Sequence, residues 1–138
     1  MKLFIDANIL VAVLNKEYPL FPYAARVLSL EKKKYKLTTT AVCTAIAYYF
    51  AEKKHGSALA KSKIEVLLQH IEISDCGKKE TTLAARNKMI HYLEDGLQYY
   101  AALNDNCDYI ITHYLEDYYF SAIETLHPES FLKQYFIG

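Results

Sequence analysis

Glycine and proline are scarce in this chain, at 4 and 3 of 138 residues. So little linker material implies one domain over residues 1–138, long enough to bury a sizeable core. Cysteine is also sparse. Cys43, Cys76 and Cys107 lie about 30 residues apart, which excludes the close pairing of a zinc site and suits reduced, buried thiols in a reducing compartment. No apolar run is long enough to span a membrane. The first residues carry a single Lys and a short apolar stretch ending in Asp6, unlike a signal peptide. A cytoplasmic protein with no membrane partner is the expectation. A Gly-rich phosphate loop, an HExxH helix, a nucleophile elbow and a Cys/His pair are all missing. Nucleotide-cofactor, protease and elbow-hydrolase readings therefore have no support.

Net charge is missing too, at +0. The balance is nevertheless uneven: residues 1–88 hold 15 Lys/Arg against 8 Asp/Glu, and residues 89–138 hold 1 against 8. A uniformly basic nucleic-acid binder is excluded. Two readings stay open, solvated helix faces that segregate by chance and a basic flank beside an acidic pocket.

What is present is an alternation of strands and helices. Lys2–Ile5 reads as a buried strand and Asn8–Leu14 as a short apolar helix. After the loop "KEYPLFPY", "AARVLSLEKKK" reads as an amphipathic helix and "YKLTTT" as a second strand. "AVCTAIAYYFAEKKHG" is apolar nearly all round, predicting a buried helix stopped by Gly56. Ser57 is the expected cap of a helix reaching about His70, with Leu59, Ile64, Leu67 and Leu68 as core positions. "IEIS" is a short strand; Lys79–His91 and Glu94–Asn104 are two more helices. "CDYIIT" and "IETL" are strands, and "HPESFLKQYF" closes the chain as a helix with Pro128 in its first turn. The pattern predicts an α/β architecture with a mainly parallel sheet, whose ligands bind beyond the carboxyl ends of the strands.

Asp6 stands at such an end. Asp117 follows the strand "YIIT" by five residues after Thr112, and Asp95 opens the helix before that strand. Read singly, each has an ordinary alternative: Asp6 as a helix cap, Asp95 as a dipole-favoured first-turn acid, Asp117 as a loop acid. Read together, three carboxylates from three segments repel one another unless a hard cation such as Mg²⁺ or Mn²⁺ neutralises them. Such ions activate water against phosphodiesters.

"LFIDANILVAVL", "EDGLQYYAAL", "CDYIITHYLEDY" and "HPESFLKQY", in that order, resemble the PIN-domain family, and closely its small single-domain members that act as toxins of bacterial toxin–antitoxin modules. The resemblance implies a three-layer α/β/α fold and a Mg²⁺- or Mn²⁺-dependent endoribonuclease. It further implies an RNA substrate, a cognate antitoxin protein and a homodimer. Asp6, Asp95 and Asp117 fall on the family's acidic positions, and Asn8 and Thr112 on the associated pocket positions. The family's usual Glu on the helix after the second strand is absent; Thr44, Ala45 or Ile46 occupies its place, and Tyr114 stands where many relatives carry Asp or Asn. Glu94 and Glu116 are neighbouring acids that compensate in part. That departure supports an alternative, a PIN fold impaired in catalysis that serves as an RNA- or protein-binding module. His113, just past a strand end, reads as an acid or base or as a basic residue beside substrate phosphates. The paired tyrosines and "EKKKYK" read as helix packing and a solvated helix end, or as contacts to RNA bases and phosphates.

Overall fold

The computed structural model describes residues 1–136. Five strands, β1 (Lys2–Ile5), β2 (Lys36–Thr39), β3 (Glu72–Ile73), β4 (Tyr109–Ile111) and β5 (Glu124–Leu126), form one sheet in the order β3-β2-β1-β4-β5. Every pairing is parallel. Helices cover both faces in three α/β/α layers, as expected. They are α1 (Ala7–Asn15), α2 (Phe21–Leu28), α3 (Ala41–His55), α4 (Ser57–Leu67), α5 (Lys78–Arg86), α6 (Leu93–Asn104) and α7 (Pro128–Phe136). Helix α1 packs on α2 and α3, α3 on α4, and α2 on α7, whereas α5 and α6 pair with each other.

Strand β1 lies at the centre because Leu3, Phe4 and Ile5 are wholly buried, as a strand covered on both faces must be. The chain adds β2 and β3 on one side of β1, then returns to add β4 and β5 on the other. The strand order therefore reverses between β1 and β4, where parallel sheets open a crevice for ligands. Register brings Ile5 opposite Ile111, so Asp6 and Thr112 leave the sheet side by side.

Several sequence expectations need correction. The second helix begins at Phe21, with Pro22 in its first turn, and ends at Leu28; "EKKK" is a turn in which Lys32 Nζ donates to the Leu28 carbonyl at 2.7 Å. Gly56, not Ser57, caps α4, and its φ of 83° is one that glycine adopts without strain. Helix α3 is not buried all round: Cys43, Ala47 and Ala51 face inward, while Tyr49 and Phe50 stay exposed because α1 and α4 cover only part of it. Leu59 and Leu68 are exposed on α4, and Leu67 is its buried leucine. The helix expected over 79–91 stops at Arg86. There the Asn87 side chain accepts from Met89 N–H (3.0 Å) and donates to Tyr100 Oη (3.0 Å), offering the backbone a turn instead.

Gly96, next to Asp95, has a specific packing duty. A Cβ there would stand 2.7 Å from Ala84 Cβ and 3.2 Å from its Cα, so the first turn of α6 rests directly on α5. Gly96→Ala is expected to destabilise the fold by about 1–3 kcal/mol through overpacking, despite alanine's better helix propensity. Urea unfolding measures this; an unchanged or higher midpoint would refute the packing assignment.

Candidate functional site

The Asp6 carboxylate ends β1 and caps α1. Its Oδ1 accepts from the Ala7 N–H at 2.8 Å, and its Oδ2 accepts from Asn8 Nδ2 (3.1 Å) and Thr112 Oγ1 (3.0 Å). Asn8 Nδ2 also donates to Thr112 Oγ1 (3.1 Å), and Asn8 Oδ1 accepts the His113 N–H (2.9 Å). Asn8 thus ties the start of α1 to the end of β4. The helix-cap reading of Asp6 is correct as far as it goes; one carboxylate caps the helix and faces the crevice at once.

Asp6, Glu94, Asp95 and Asp117 line one cavity of about 450 Å³, together with Asn8 and His113. Each arrives by a different route. Asp95 sits in the first turn of α6, seated by Gly96. Asp117 lies on a 3-10 turn, Leu115–Tyr118, anchored by the buried ring of Tyr118. Thr112 stands behind Asp6, fully buried. Thr44 does not line the cavity: its hydroxyl donates to the Ala41 carbonyl at 2.7 Å, and α3 turns Ile46 and Phe50 to the cavity instead.

Some lining residues carry no sequence signal. Glu17 reaches the rim from the α1–α2 loop, giving the cavity a fifth carboxylate. Gln98 could have been found, since it lies one helical turn beyond Asp95; it is buried and accepts from Thr40 Oγ1 at 2.6 Å, joining α6 to the start of α3. The Cys43 thiol lies 4.0 Å from Asp6 Oδ1, and burial, reinforced by the Asp6 charge, pushes it up to about 12, so it stays neutral. The Tyr118 hydroxyl is buried among the same acids and raised well above its ordinary value by burial and the Asp6 charge. Among the described residues it has no hydrogen-bond partner of ordinary geometry, Asp6 included.

The electrostatics are those of acids without a counter-charge. Burial raises Asp6 above the usual carboxylate range, partly offset by the Ala7 N–H and by Thr112 and Asn8. Asp95 is pushed up to about 7, first by burial and then by the charges of Asp6, Asp117 and Glu94. Asp117 is raised by burial and by Glu116. Among the described residues, no Lys or Arg lines the cavity.

This donor set fits a hard divalent cation, which takes oxygen ligands and supplies the missing positive charge. Among the described residues, no group of three or more His, Cys, Asp or Glu side chains is placed to hold a metal ion between them. Mg²⁺ does not require one: it keeps several waters and takes one or two carboxylates directly.

A family model for the PIN domain matches residues 2–114. The chain belongs to the PIN-domain family. It is 27% identical over 139 residues to "Ribonuclease VapC1" of Aquifex aeolicus (strain VF5), covering 97% of this chain and 95% of that one. A VapBC2 structure from Rickettsia felis superposes with a TM-score of 0.74 at 20% identity, over 92% of this chain and 98% of that one. VapBC-1 of nontypeable Haemophilus influenzae does so at 0.68 and 16%, over 94% and 99%. The shared PIN fold accounts for the parallel sheet and the crevice at its switch point.

The Asp95 environment predicts a pH-dependent stability. The folded state holds this proton up to about 7, against an ordinary value of 3.8, so its repulsion costs stability increasingly across that window and fully above it. In metal-free protein, Asp95→Asn should therefore raise stability by about 1 kcal/mol near about pH 8 and leave it nearly unchanged near about pH 4. Thermal unfolding at the two pH values checks this; an equal shift at both would contradict the charge origin.

Proposed function

We propose that this PIN-domain protein is a divalent-metal-dependent endoribonuclease acting as the toxin of a toxin–antitoxin module. The observation that carries the reading is the shared cavity: among the described residues, carboxylates from three distant segments line it at the sheet's switch point, with no Lys or Arg beside them. The relative named a ribonuclease supports the reaction, and the VapBC neighbours support an antitoxin partner.

Asp6, Asp95 and Asp117 would hold Mg²⁺ or Mn²⁺, with Glu94 beside them. A bound ion supplies an activated water and charge neutralisation for phosphodiester hydrolysis. The chain's own residues do the rest. Asn8 and Thr112 fix the Asp6 carboxylate in one rotamer, Gly96 and Gln98 seat the start of α6, and Tyr118 anchors the turn bearing Asp117. The antitoxin would dock in a second groove, of about 490 Å³, where α1, α2 and α4 present Val13, Phe21, Leu28 and Val66 and no acid. No helix among the described residues is long and apolar enough to cross a membrane.

Asp6→Asn should abolish metal-dependent RNA cleavage while the circular dichroism spectrum is unchanged; cleavage at the parent rate would remove Asp6 from the chemistry. One observation favours a second reading, a binding module impaired in catalysis: α3 offers the cavity Ile46 and Phe50, both apolar. Calorimetry with Mn²⁺ separates the two. The enzyme reading predicts binding at about millimolar metal or tighter, lost in Asp95→Ala, and the binding-module reading predicts none.

A further inference from the structure

The cavity poses a problem for any phosphodiester: among the described residues, five carboxylates line it, and His113 is its only basic side chain. A neutral imidazole has one donor and one acceptor nitrogen, and an acceptor turned toward phosphate would repel it. Which nitrogen of His113 carries the proton follows from a chain of contacts outside the cavity. The Glu129 backbone N–H donates to His127 Nδ1 at 3.1 Å. A backbone N–H can only donate, so that nitrogen is unprotonated and neutral His127 carries its proton on Nε2. His127 Nε2 lies 3.0 Å from His113 Nδ1, which must then accept. The remaining proton of His113 is forced onto Nε2. The ring also makes an edge contact with Tyr114, and the backbone of the residue is fixed by the His113 main-chain N–H donating to Asn8 Oδ1.

We infer that His113 is a substrate-binding residue whose Nε2–H donates to a non-bridging phosphate oxygen of the RNA strand, and that His127 is a positioning residue that sets this tautomer from the start of α7. The inference rests on the ribonuclease reading above and adds how that site grips an anion. The alternation of donors is Glu129 N–H to His127, His127 to His113, and His113 to phosphate. It runs from a helix terminus to the cavity edge through two rings that belong to different strand ends, β4 and β5.

The experiment measures binding of a fluorescein-labelled pool of random single-stranded RNA by anisotropy. Ca²⁺ replaces Mg²⁺ to suppress cleavage, and the buffer is mildly alkaline. His113→Leu should weaken binding about tenfold or more, and His113→Gln, which keeps an N–H donor, should recover much of it. His127→Asn keeps an acceptor for the Glu129 N–H, so the cap of α7 survives, but it is too short to reach His113. It should weaken binding about threefold to tenfold and add nothing in the His113→Leu background, because the two act as one unit. Mn²⁺ affinity by calorimetry should be unchanged in all three variants. Parent-like RNA affinity in His113→Leu, or fully additive losses in the double variant, would overturn the relay while leaving the ribonuclease reading intact. No RNA binding by the parent protein would overturn both.

Discussion

A carboxylate taken out of water at the end of a central strand is the constraint on which this structure turns. Asp6 is buried, and burial works against its charge; the Ala7 N–H, Asn8 and Thr112 offset part of that cost. Those three partners come from the start of α1 and the end of β4. Satisfying the carboxylate therefore also fixes how the first helix leaves the sheet and how β4 sits beside β1. Remove the hydrogen bonds and a buried charge stands unpaired, which is far more costly than an exposed one. A structural cap and a chemical centre are here the same two oxygen atoms.

From that centre the rest of the cavity is assembled by packing decisions made elsewhere. Gly96 lets α6 lie against α5, which sets Asp95 where the Asp6 charge reaches it. Tyr118, buried in the core, anchors the 3-10 turn that carries Asp117. The consequence is a set of acids whose mutual repulsion opposes the metal-free fold. A divalent cation would relieve that repulsion, so metal affinity and fold stability are linked through the same residues.

The strands were legible because their apolar runs are continuous and end in polar residues, and a buried parallel strand requires just that of its sequence. Asp6 and Asp95 were legible as acids at a strand end and a helix start, and Asp117 as an acid in the loop after a strand; all three line one cavity once the strand order is known. Helix limits were less legible. Asn87 ends α5 through its own side-chain hydrogen bonds, and Pro22 starts α2 where a loop was expected; both are local chemistry that hydropathy does not register. The apolar run of α3 overstated its burial because periodicity cannot say how many neighbours a helix has. Spacing leaves Thr44, Ala45 and Ile46 open at the place of the missing Glu, and helix phase turns Ile46, not Thr44, to the cavity. Glu17 and the His113–His127 pair depend on loops and strand ends that only three-dimensional structure brings together.

The central claim is that Asp6, Asp95 and Asp117 share one cation. Crystals grown with Mn²⁺ and measured at the manganese absorption edge locate that ion without reference to activity. A single anomalous peak within about 2–5 Å of all three carboxylates, reached directly or through one water, is the predicted result. A peak bound elsewhere on the molecule, or none in this cavity at saturating Mn²⁺, would contradict it.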